Sequence, residues 1–130
     1  LYEGMSWNKQ IFEAVDSLYN FQTLVIINPY SFHWMDTSPL DRNNWALVFW
    51  NSYQHSVYVK RNEQNRAYIK EFEYKLYDKP YTPAGLAPLI RTKEDTLLAI
   101  QEIKRHNYWA PDPIDRYLLK LLDNPQASDD

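Results

Sequence analysis

The run Thr23–Asn28 (TLVIIN) constrains this chain most. It is near-continuously apolar and rich in β-branched side chains. Its length and chemistry are those of a strand, and the lack of polar alternation predicts burial on both faces. A segment of helical spacing precedes it. Behind Ser6 as N-cap, Trp7, Ile11, Phe12, Val15, Leu18 and Tyr19 fall on one helix face. A helix is predicted over 7–19, ended by Asn20. A helix leading into a buried strand is the start of a layered α/β arrangement.

Pro29 stops that strand, and Asn28–Arg42 reads as a loop. It carries a short helical turn at Pro39–Arg42, capped by Ser38. Trp45–Trp50 and Ser56–Arg61 are the next two strands, with Val57 and Val59 on one face and Tyr58 on the other. The short polar turn Asn51–His55 makes them an antiparallel hairpin. Glu63–Tyr77 reads as a helix with Tyr68 or Ile69, Phe72 and Leu76 as its buried stripe.

Pro80, Pro83 and Pro88 then interrupt the chain. Beyond them the pattern is helical. TKED at Thr92 resembles a capping box, with Leu97, Ile100, Ile103 and Lys104 as the following stripe. Asp112-Pro113 supplies an N-cap and a first-turn proline for a helix bearing Ile114, Tyr117, Leu118, Leu121 and Leu122. The expected fold is α/β (α+β): a small two-layer sheet of three or more strands with an antiparallel hairpin, packed by helices, then an αα-hairpin. The expected organisation is an α/β domain over 1–77, a Pro-rich joint over 78–88 and a helical extension over 89–130, about one helical repeat long.

Composition narrows the function classes. The chain has 130 residues, enough for a core without staples. Two glycines argue against Gly-rich phosphate loops. The net charge of −3 is spread along the chain without a basic block, which disfavours nucleic acid. With no cysteine, disulfides and thiolate sites are excluded. No stretch approaches the ~18 apolar residues of a membrane span. The chain opens in mid-phrase (LYEGMSW), the expectation being a piece of a longer protein.

His33-Trp34-Met35-Asp36 is the sharpest chemical cluster. His33 and Asp36 suit acid–base work or a metal if the loop converges them, and equally suit hydrogen bonding to their own loop backbone. A metal needs three or four ligands, and no matching set accompanies them. His106, near a helix end, is explained by the dipole and by carbonyl capping. Glu71 and Glu73 read as solvated charges.

Aromatic residues make up 16% of the chain, and many gather in the strand–loop–hairpin region. They either fill the core, at ~150–250 Å² each, or stack on sugar rings beside Asn, Asp or His. Trp45 and Trp50, five apart on one strand, point to opposite sides, so at most one is expected to face solvent. The ligand candidates are therefore His33, Trp34, Asp36, Trp45 and Trp50. No catalytic residue, metal or cofactor is assigned.

One resemblance adds to this. LYEG at Leu1–Gly4, the helix at Trp7–Tyr19, TLVIIN, SPL at Ser38–Leu40, NNWALVFW at Asn43–Trp50 and SVYVKR at Ser56–Arg61 follow one another in order. Together they resemble the soluble extracytoplasmic tail of bacterial polytopic lipid-linked-sugar glycosyltransferases of the dolichyl-phosphate-mannose mannosyltransferase type. The match covers about half the chain. In such proteins the tail can continue into helices, as Thr92–Asn124 would. The resemblance implies a membrane-anchored parent whose chemistry lies between its spans. The expected role is then a non-catalytic module beside the membrane that binds or orients a partner, with the parent's membrane part as first partner and a glycan or protein as second. The alternatives are a carbohydrate-binding module using exposed Trp or Tyr, and a small enzyme built on His33 and Asp36.

Overall fold

A computed structural model describes residues 9–26, 41–52 and 55–123 of the chain. The described elements are α1 (Lys9–Tyr19), β1 (Thr23–Ile26), β2 (Trp45–Trp50), β3 (Ser56–Lys60), α2 (Arg66–Phe72), α3 (Pro83–Leu86), a 3₁₀ turn (Ala87–Leu89), α4 (Lys93–Trp109) and α5 (Pro113–Asp123). The fold class is the expected α+β, a three-stranded antiparallel sheet followed by a helical pair. The chain divides into two compact units. The first takes residues 9–26, 41–49 and 55–73; the second takes 50–52 and 74–123.

In the first unit the strand order is β1-β3-β2, and β1 pairs antiparallel with β3 in the register Thr23↔Val59 to Ile26↔Ser56. Ala46, Val48 and Val59 form the core with Ile69 of α2, and Val57 and Phe72 pack against it. Alternation turns the neighbouring residues to the opposite face, where Lys60 meets Asp16 of α1. Asn20 ends α1 in the left-handed region (φ 50°), a conformation asparagine tolerates.

Three expectations fail here. β1 is not buried on both faces, for among the described residues it pairs on one side only and Val25 is 64% exposed. Glu63–Tyr77 is not one helix. α2 ends at Phe72, where Glu73 turns extended (ψ 136°). Glu73 is not solvated; it is buried and paired bidentately with Arg61.

The second unit packs α4 and α5 as the expected helical pair, joined by a short turn. Thr92 and Asp95 form a true capping box at the start of α4. Asp112 caps α5, its side chain accepting from the Ile114 N–H at 3.1 Å. The segment read as a Pro-rich joint lies within this unit and is built into it. Thr82 caps α3, and Leu86 is buried. The buried face of α4 is Ala99, Glu102, Ile103 and His106; of the expected stripe Ile103 is buried, while Leu97 is 58% exposed and Lys104 is exposed too. On α5, Leu118 is buried but Tyr117 is exposed. No helix among the described residues is long and apolar enough to cross a membrane.

Candidate functional site

In the first unit, a cleft of about 220 Å³ opens between α1 and the start of β2. Glu13 and Asp16 line it from α1, Asp41, Asn44 and Trp45 from the entry to β2, and Lys60 and Arg61 from the end of β3. Each group is positioned by local chemistry. Asp41 makes an Asx-type turn, Oδ1 accepting from the Asn43 N–H at 2.8 Å and Oδ2 from the Asn44 amide at 3.2 Å. Its carbonyl accepts from the N–H groups of Asn44 (2.9 Å) and Trp45 (2.8 Å), which starts β2 beside the cleft.

Asp16 Oδ1 accepts from the Phe21 N–H at 3.0 Å and from Lys60 Nζ at 2.7 Å. Asn20 Oδ1 takes the same ammonium at 3.0 Å. Lys60 Nζ also stands 5.3 Å from the Trp45 ring centroid, within cation–π range. Arg61 is held by the Arg42 carbonyl at 2.9 Å and by Glu73. The cleft thus gathers fixed acceptors and donors beside Trp45.

The second unit holds a buried polar cluster. Glu102 Oε1 accepts the N–H groups of Leu76 (2.9 Å) and Tyr77 (2.8 Å), and Oε2 that of Lys75 (3.0 Å). Those amides would have continued the expected helix through Tyr77; the carboxylate takes them instead. Asp115 accepts from the Tyr77 hydroxyl at 2.5 Å, from the Asp112 N–H at 3.1 Å and faces His106 Nδ1 at 2.7 Å. His106 Nε2 lies 3.0 Å from the Trp50 carbonyl, which can only accept, so Nε2 carries a proton. The imidazole stacks on Trp50 at 3.7 Å, and the Trp50 indole N–H donates to the Tyr77 carbonyl at 2.8 Å.

Burial, reinforced by the accepting Asp115 carboxylate, holds the Tyr77 phenol far above the usual tyrosine range. Burial also raises Tyr74, against the opposing pull of Arg105, whose guanidinium stands 4.4 Å from the Tyr74 ring centroid. Tyr77, Asp115 and His106 have the residue types of an acid–base relay. All three are inaccessible to solvent, and a relay must reach a reacting atom. Their hydrogen bonds go to one another and to the backbone, which makes the cluster a framework.

Of the residues singled out from sequence, His33, Trp34 and Asp36 lie outside the described residues. Trp45 lines the cleft of the first unit and Trp50 belongs to the buried cluster of the second; both are buried, at 3% and 4% exposure. Neither presents an open ring face. Sequence reading missed Glu13, Asp16, Asp41 and Asn44, which carry no motif. It also missed Glu102 and His106, although their i, i+4 spacing put both beside Ile103. Among the described residues no group of three or more His, Asp or Glu side chains is placed to hold a metal ion. Comparison with known protein families, with curated proteins and with solved structures finds no match to this chain.

Proposed function

We propose that this chain is a non-catalytic binding module of a longer, membrane-anchored protein of the glycosyltransferase type its first half resembles, and that its α/β unit holds a carbohydrate in the cleft at Trp45. One observation carries the ligand class. Carboxylates and an amide from α1 and the β2 entry line one cleft together with Trp45. Fixed carboxylate and amide acceptors beside an aromatic side chain suit the hydroxyls of a sugar. The cleft is below the ~300–1,000 Å³ of drug-sized sites, so the fit is to one ring or a chain end. In this reading the module lies on the extracytoplasmic side and orients an acceptor beside the membrane part of its own parent.

Titration with a glycan panel, followed by tryptophan fluorescence, tests the ligand. A saturable response that weakens in Asn44→Ala and Glu13→Gln is expected; both changes leave the core untouched. A flat response across the panel overturns the carbohydrate reading. Turnover by the isolated chain that disappears in His33→Ala would replace the binding module with an enzyme. The coding sequence upstream of Leu1 tests the parent, which should contain several spans of about twenty apolar residues.

A further inference from the structure

The second unit leaves three large rings in solvent: Tyr108 at 75% exposure, Trp109 at 61% and Tyr117 at 53%. Tyr108 and Trp109 meet edge to face at the end of α4, with centroids 4.8 Å apart. Neither ring serves the core, whose apolar members on these helices are Ala99, Ile103 and Leu118.

Charge gathers on the same side. Lys104 Nζ lies 3.7 Å from Asp123, which fixes one face of α4 beside one face of α5. Tyr108 follows Lys104 by four residues and shares its face; Arg116 and Lys120 share the face of Asp123 by the same rule. Lys104, Arg116 and Lys120 are all exposed. Three exposed cations therefore outnumber the carboxylates of Asp123 and Asp112 here, on a chain whose net charge is −3.

We infer that Tyr108, Trp109 and Tyr117, with Lys104, Arg116 and Lys120, form a surface that docks on an anionic lipid bilayer. The pattern decides between a bilayer and a protein partner. Protein interfaces deplete lysine, whereas here Lys104 and Lys120 stand among the rings. Rings with an apolar body and a polar edge settle at the headgroup level, and nearby lysine and arginine are drawn to anionic headgroups. The surface lies apart in sequence from the carbohydrate cleft and does not rest on that reading.

Co-sedimentation of the full chain with phosphatidylcholine vesicles, with and without phosphatidylglycerol, tests this. Binding only to the anionic vesicles, weakened by salt, is expected. Arg116→Gln and Lys120→Gln should each weaken it about fivefold. Trp109→Ala, at an exposed position, should weaken it at least about tenfold while the circular dichroism spectrum and melting curve are retained. No binding to anionic vesicles at low salt overturns the inference. So does binding that falls in the charge variants but is unchanged in Trp109→Ala and is matched by a soluble polyanion such as inositol hexaphosphate.

Discussion

His106 Nδ1 and Asp115 Oδ2 stand 2.7 Å apart, and solvent reaches neither side chain. Since Nε2 already donates to the Trp50 carbonyl, a proton must also lie between Nδ1 and the carboxylate. Removing one partner strands the other without water. Asp115→Ala also orphans the Tyr77 hydroxyl and the Asp112 N–H. It is expected to cost about 3–5 kcal/mol in urea unfolding. The double variant with His106→Ala should cost less than the sum of the two single changes, because the second loss removes a group already without its partner. Strict additivity would show that the two side chains do not act as a pair.

Glu102 accepts the N–H groups of residues 75, 76 and 77 through its two carboxylate oxygens. In Glu102→Ala three amides lose their acceptor, at about 1–3 kcal/mol each. Glu102→Gln is expected to be milder. Its amide oxygen can keep the Leu76 and Tyr77 N–H groups, but its amide nitrogen meets the Lys75 N–H donor to donor. Hydrogen exchange checks this residue by residue. Lys75 should lose protection in both variants, Leu76 and Tyr77 only in Glu102→Ala.

The capping box at the head of α4 is exposed, so its effect is on the helix alone. Thr92 Oγ1 accepts the Asp95 N–H at 3.1 Å, and the Asp95 carboxylate accepts the N–H groups of Thr92 and Arg91. Thr92→Ala should lower stability by about 1 kcal/mol, and Thr92→Asn by much less, since asparagine caps as well. Equal losses in both would show that the cap is not what holds this end.

What the sequence made legible follows from local rules. The TKED box, the Asp112-Pro113 helix start, the hairpin and the α1 stop at Asn20 each depend on a few neighbouring residues, and each is present. The misreadings share a cause in long-range polar contacts. Periodicity carried α2 past Phe72 because nothing near Lys75 announces a carboxylate 27 residues away. Glu73 looked solvated until Arg61 arrived from the end of β3, and His106 looked like a helix-end charge until Asp115 and the Trp50 carbonyl closed on it. Of the cleft, Trp45 alone stood out in the sequence. Its partners are common acids and an asparagine whose meaning comes from convergence.

Tyr77 makes the stability of the fold depend on alkaline pH. Its phenol is ordinary in the unfolded chain, near 10.0, and is held well above that when folded, by burial first and by donation to Asp115 second. Below pH 10 both states carry the proton, and the contribution is fully present. Above it the unfolded chain releases the proton while the folded one keeps it, so stability falls as pH rises. The urea midpoint is expected to hold up to about pH 9.5 and then to decline, more steeply than in Tyr77→Phe, which cannot ionise at this position. Exposed tyrosines such as Tyr108 and Tyr117 remain in both proteins, so the difference in slope isolates Tyr77. Parallel slopes for the two proteins would mean that the buried hydroxyl does not keep its proton.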